Sequence, residues 1–146
     1  MIRTREIVII DEDDDNLLVL QDSLAETGLD FHSTIIHKGS EAVEYFQQLS
    51  HNSLRPNPDL IVLDLHLPDI NRIELLHTIR NDPSLISIPI IAYTSLEDEK
   101  HIASCYEAGI NCCIKKPTSL DEAKIFAHSI NDFWFKTLRL PSDYPR

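Results

Sequence analysis

Leu60-Ile-Val-Leu-Asp64 decides how the rest of the chain is to be understood. Four apolar residues run without alternation and stop abruptly at a carboxylate. A strand with one wet face would alternate apolar and polar residues. An unbroken run of this length instead suits a strand buried on both faces, as in the middle of a parallel sheet. The pattern recurs on both sides. Glu6-Ile-Val-Ile-Ile10 stops at Asp11, Ile90-Ile-Ala-Tyr93 stops at Thr94-Ser95, and Cys112 to Lys115 runs into Lys116-Pro117. Phe31 to Ile36 supplies one further strand.

Helical periodicity fills the gaps between these runs. Asp15 to Thr27 places Leu17, Leu20 and Leu24 on one face, with Asp14 or Asp15 as the cap and Gly28 as a left-handed stop. Ser40 to Leu49 turns Val43 and Phe46 inward. After a loop over His51 to Pro58, a third helix spans Asn71 to Arg80 and breaks at Asn81-Asp82-Pro83. Ser95 with Asp98 opens a fourth, which Gly109 stops. Ser119 with Glu122 forms a capping box for a fifth that reaches about Leu138. The tail Leu140-Pro-Ser-Asp-Tyr-Pro-Arg146 cannot continue it. Strand and helix thus alternate five times. The expected fold is α/β, a doubly wound five-stranded parallel sheet between two helical layers.

The chain is expected to be one domain over residues 1–146, with a core at about 5–130 and a C-terminal extension at about 131–146. Its 13 basic and 24 acidic residues give a formal charge of −11, which argues against a nucleic-acid partner, since such binding neutralises phosphates with Lys and Arg. No apolar run approaches the roughly 18 residues of a membrane span, and no signal-peptide core is present. A cytoplasmic location is expected, with Cys105, Cys112 and Cys113 reduced; their spacing fits no common zinc pattern.

In an open parallel sheet, ligands bind beyond the carboxyl ends of the strands. Those ends carry Asp11-Glu12-Asp13, Asp64, Thr94-Ser95 and Lys115-Lys116-Pro117. Carboxylates held together repel one another unless a cation sits among them. An all-oxygen set without His or Cys favours Mg²⁺. Asp64, on the central strand, is then the nucleophile toward an incoming phosphoryl group. Lys116 would pair with Asp64 and the phosphoryl oxygens, and Thr94 would hydrogen-bond another of them. The plain alternatives are a strand cap for Asp64, a solvated turn for the acidic run and surface charge for Lys116. Placement at one sheet edge favours the site.

The sequence resembles the response-regulator receiver family over about residues 5–130, and within it the small single-domain regulators paired with cyanobacterial phytochromes. The residues that carry this are Arg55-Pro-Asn-Pro-Asp-Leu-Ile-Val-Leu-Asp-Leu-His-Leu-Pro68, Ile88-Pro-Ile-Ile-Ala-Tyr-Thr94, Asn111-Cys112 ahead of Lys116-Pro117, and the ending Phe133-Trp134-Phe-Lys-Thr-Leu-Arg-Leu-Pro141. The resemblance implies phosphorylation of Asp64 by a histidine kinase, of phytochrome type. It implies phosphoryl contacts from Thr94 and Lys116, and a metal held by Asp11, Glu12, Asp64 and the backbone carbonyl of His66. It also implies a cis peptide before Pro117 and a homodimer through the face of the fourth helix, fifth strand and fifth helix with the C-terminal extension. Such a protein is a phosphoacceptor, not an enzyme.

Three positions depart from the family pattern. Glu12 stands where Asp is usual, and Asp13 takes its place if the register slips by one. Arg72 stands where the loop usually has glycine; a left-handed backbone there would cost on the order of 1 kcal/mol. Cys113 stands where a switching aromatic is usual. These departures motivate the alternative of a receiver-like docking or dimerisation module that acts independently of phosphorylation. A metal-dependent phosphatase is disfavoured by His66, where such enzymes commonly carry a second Asp.

Overall fold

The computed structural model describes residues 3–52 and 54–144, with backbone only for residues 96–98. Five strands, β1 (Arg5–Ile10), β2 (Phe31–Ile36), β3 (Leu60–Asp64), β4 (Ile90–Thr94) and β5 (Cys112–Lys115), form one sheet. Its order is β2-β1-β3-β4-β5, and every pairing is parallel. The doubly wound expectation holds. All five residues of β3 are buried, because it lies mid-sheet with helices on both faces.

The helices are α1 (Asp14–Glu26), α2 (Gly39–His51), α3 (Arg72–Arg80), α4 (Ile102–Ala108) and α5 (Leu120–Ser129). Alternate strand residues feed two cores. Val8, Ile10, Ile61, Leu63, Ile90 and Ala92 pack with Phe46, Leu75, Leu76 and Cys105 on the side of α2, α3 and α4. Ile7, Ile9, Leu60, Val62, Ile91 and Tyr93 pack with Leu17, Leu20, Leu24 and Phe126 on the side of α1 and α5. The inward faces expected of the first two helices are thus in place. Gly28 and Gly109, with φ of 81° and 116°, end α1 and α4 in the left-handed region, where a Cβ would be strained.

Several local expectations are corrected. The cap of α1 is Asp13, not Asp14 or Asp15: its carboxylate accepts from the Asp15 and Asn16 amides. Four aspartates in the run Asp11 to Asp15 all satisfy the cap preference, and only the chain's exit from β1 selects among them. The fourth helix begins as a 3₁₀ segment over Leu96–His101 before becoming α-helical at Ile102. Ser95 is its N-cap residue but makes no side-chain cap hydrogen bond, and the side chain of Asp98, the expected partner in that cap, lies outside the described residues. Arg72 is the first residue of α3, after the cap Asn71 at φ −73°. No described non-glycine residue has positive φ, so the expected strain is absent. The described chain also has no cis peptide bond, so the bond before Pro117 is trans.

The fifth helix continues into a π-helical segment, Ile130–Thr137, closed by the Leu138 amide donating to the Phe133 carbonyl at 2.8 Å. This turns Phe135 and Trp134 toward the α1/α5 core and leaves Phe133 half exposed. The tail folds back onto its own sheet. Asp59, 1% exposed, accepts from Arg3 Nη1 at 3.1 Å, from the Glu6 amide at 2.8 Å and from the Ser142 hydroxyl. Asp143 receives Arg3 and Arg5, each at 3.0 Å. No helix among the described residues is long and apolar enough to cross a membrane.

Candidate functional site

The order β2-β1-β3-β4-β5 reverses between β1 and β3, which opens a crevice at their carboxyl ends. The sequence places Asp64 on one side of it, as the last residue of β3, and Asp11 on the other, directly after β1. Both are buried, at 2% and 0% exposure. Lys116, beyond β5, extends across two strand ends: its Nζ is 2.7 Å from Asp64 Oδ2 and 3.4 Å from Asp11 Oδ1. The approach is fixed by the main chain, since the Lys116 amide donates to the Thr94 carbonyl at 2.7 Å. Asp11, Asp64 and Lys116 therefore meet as their strand-end placement indicated.

Each carboxylate oxygen has a partner. Asp64 Oδ1 accepts from the His66 amide at 2.9 Å. Asp11 Oδ1 accepts from the Asp13 amide at 3.0 Å, and its Oδ2 accepts from the Tyr93 phenol at 2.5 Å. Burial pushes the Asp64 carboxyl up to about 6; Lys116 and the His66 amide pull the other way, and the Asp11 charge adds to the rise. Burial opposes the charge of Lys116, yet its hydrogen bond to Asp64 and the fields of both carboxylates hold its pKa above the ordinary value. The Tyr93 phenol is pushed upward by burial and by Asp11.

The remaining expected residues are placed differently. Thr94 is buried at the end of β4, and the Cys113 thiol donates to the Ile114 carbonyl at 3.8 Å. Both side chains lie on the α4 side of the sheet, because Ala92 is the register partner of Cys113 and Thr94 that of Lys115. Glu12 and Asp13 are exposed, and Asp13 is engaged as the cap of α1. Among the described residues, no three His, Cys, Asp or Glu side chains are grouped closely enough to hold a metal unaided. The expected convergence of three carboxylates is thus reduced to two.

These two nevertheless suit a hard cation. Two buried carboxylates face a single ammonium, and the donors at the crevice are oxygens. One negative charge is left without an opposite partner in a desolvated place, which a divalent ion bound by oxygen would offset.

Sequence reasoning missed three contacts. A tyrosine in an otherwise apolar buried strand was the available signal for Tyr93, since a buried phenol needs a partner. Arg72 donates from Nε to the Leu65 carbonyl at 2.7 Å. Tyr106, on α4, accepts the Cys113 amide at 2.9 Å and so covers a hydrogen-bond donor of the edge strand β5. Neither of the last two had a signal in local spacing.

The fold and the Asp11–Lys116–Asp64 constellation define a phosphoacceptor type of α/β domain, and residues 7–127 match the response regulator receiver domain model. The chain belongs to the response regulator receiver family, whose members are the receiving partners of two-component signalling. It is similar to response regulator Rcp1 of Synechocystis sp., with 29% identity over 136 residues, 93% of this chain and 92% of that protein. Among solved structures it resembles the Mn²⁺-bound form of Rcp1 (TM-score 0.81, 28% identity, 94% of this chain and 99% of that one). It also resembles the phosphorylated cyanobacterial phytochrome response regulator RcpA (TM-score 0.84, 29% identity, 95% and 99%).

Proposed function

We propose that Asp64 accepts a phosphoryl group from the phosphohistidine of a histidine kinase of phytochrome type. The observation that carries this is the 2.7 Å contact of Lys116 Nζ with Asp64 Oδ2 at the mouth of the crevice. A carboxylate there is desolvated, oriented and beside a cation. An oxygen of the ionised Asp64 carboxylate attacks phosphorus as the P–N bond breaks, and the imidazole leaves with its electron pair and takes up a proton. Lys116 then balances charge on the acyl phosphate, and Thr94 donates to another of the new oxygens. Relatives that are phosphorylated or Mn²⁺-bound at this level of similarity support the reading.

Mg²⁺ is the proposed physiological cation, held by Asp11, Asp64, the His66 carbonyl and a carboxylate from Glu12 or Asp13. It would supply charge neutralisation of the transferring group. The chain assists only its own phosphorylation and dephosphorylation, and its output runs through protein contacts in the cytoplasm. A homodimer through α4, β5 and α5 is proposed, supported by Tyr106, Leu120, Ile125 and Phe133, four large side chains 45% to 68% exposed on this side of the chain.

Isothermal titration with Mg²⁺ and Mn²⁺ tests the site, using wild type, Asp64→Asn, Glu12→Gln and Asp13→Asn. Binding lost in Asp64→Asn and weakened in one of the other two supports the assignment and selects the third carboxylate. No binding by the wild type would favour the phosphate-independent docking module. Light scattering with and without phosphodonor reads the association state.

A further inference from the structure

The peptide unit between Leu65 and His66 is held from both sides. Its N–H donates to Asp64 Oδ1 at 2.9 Å. Its carbonyl, on Leu65, accepts from Arg72 Nε at 2.7 Å. The Leu65 amide is anchored separately, donating to the Tyr93 carbonyl at 3.1 Å. Arg72 can reach back seven residues because Asn71 caps α3, its Oδ1 accepting the Ile73 amide at 2.8 Å. The guanidinium therefore starts from a fixed first turn of helix and ends on the loop that follows the phosphoacceptor.

We infer that Arg72 is a positioning residue for Asp64, acting through the Leu65–His66 peptide. Two physical effects follow from one contact. A charged donor on the carbonyl sets the plane of the peptide, and so fixes the direction of the N–H at the other end. It also withdraws electron density through the amide, which makes that N–H a stronger donor. Asp64 is then gripped at Oδ1 by a polarised amide and at Oδ2 by Lys116, so the carboxylate plane is defined before any phosphoryl group arrives. A glycine at position 72 has no side chain to do this. The arginine thus adds a control on the acceptor that the loop backbone alone does not provide.

This inference rests on the proposed phosphorylation of Asp64, and the test keeps the two apart. In unphosphorylated wild type, NMR should detect scalar coupling across the hydrogen bond from Arg72 Nε to the Leu65 carbonyl carbon. This needs no variant and no phosphate. In Arg72→Met, which keeps the chain length but has no donor, exchange of the His66 amide should rise on the order of tenfold, the equivalent of one lost hydrogen bond. Phosphorylation of Asp64 by acetyl phosphate should slow several-fold, and Arg72→Lys should recover part of both effects. A purely structural tether would lower the melting temperature without moving the His66 amide. Absence of the coupling, or a wild-type His66 amide and wild-type rate in Arg72→Met, would overturn the inference. A wild type that shows the coupling but accepts no phosphoryl group would leave Arg72 in place and remove the proposed function.

Discussion

Tyr93 and Asp11 are joined across the sheet by a hydrogen bond of 2.5 Å, between a phenol on β4 and a carboxylate just beyond β1. The intervening strand β3 carries Asp64, so the phenol passes beside the acceptor to hold its neighbour. Lys116 Nζ lies 5.3 Å from the centre of the same ring. The ring therefore walls the side of the ion pair that faces α5.

Tyr93→Phe should leave Asp11 Oδ2 buried without its donor. The expected loss of stability in metal-free buffer is about 1–3 kcal/mol. A divalent cation supplies a new partner for the carboxylate, so Mg²⁺ should raise the melting temperature of the variant more than that of wild type. Equal shifts in the two proteins would count against the contact as an energetic one.

The raised Asp64 pKa has a definite sign in stability. Between the ordinary value of 3.8 and about 6, the folded protein holds a proton that the unfolded chain has released. Metal-free stability should therefore fall as pH rises through this window. Asp64→Asn should flatten that part of the profile, as measured by urea unfolding at pH 4, 5, 6 and 7. Phosphorylation runs the other way, because the nucleophile is the carboxylate, and its rate should rise over the same range.

Asp59 behaves oppositely. Burial alone would raise its pKa, but Arg3, Ser142 and the Glu6 amide outweigh burial and hold it below the ordinary 3.8. Its contribution is complete above that value and is lost as pH falls through the lower folded value. Asp59→Asn should cost about 2 kcal/mol at pH 7, part of the penalty of breaking a buried pair, since Arg3 remains partly solvated. Limited proteolysis should find the segment after Leu138 more readily cut in this variant. Unchanged cleavage would mean that the tail is held by Phe135 and Leu140 instead.

Tyr106→Phe removes the acceptor from the Cys113 amide of the edge strand. Hydrogen exchange at Cys113 should accelerate on the order of tenfold, with little change at Ile91 or Ala92 inside the sheet. Uniform acceleration across β4 and β5 would point to general loosening instead.

The sheet was legible because β1, β3 and β4 are short apolar runs that stop at polar residues; the observed bounds of Phe31–Ile36, Leu60–Asp64 and Cys112–Lys115 coincide with those expected from the sequence. Asp64 and Lys116 could be paired for the same reason, since parallel strands bring their carboxyl ends to one edge. What escaped depends on side-chain reach across elements. Tyr93 meets Asp11 over 82 positions, and Arg3 meets Asp59 over 56, with no local period to announce either. Arg72 was read against a glycine template, whereas the chain starts α3 there and spends the side chain on Leu65. Trp134 and Phe133, adjacent in sequence, are separated by the π-helical segment into an inward and an outward ring.

The central claim is that Asp64 is a phosphoacceptor, and intact-mass analysis tests it most directly. Wild type and Asp64→Asn are incubated with acetyl phosphate, with and without Mg²⁺. The account predicts one added phosphoryl group in wild type, dependent on the metal and absent from the variant. An unchanged wild-type mass under these conditions, or equal labelling of Asp64→Asn, would contradict it.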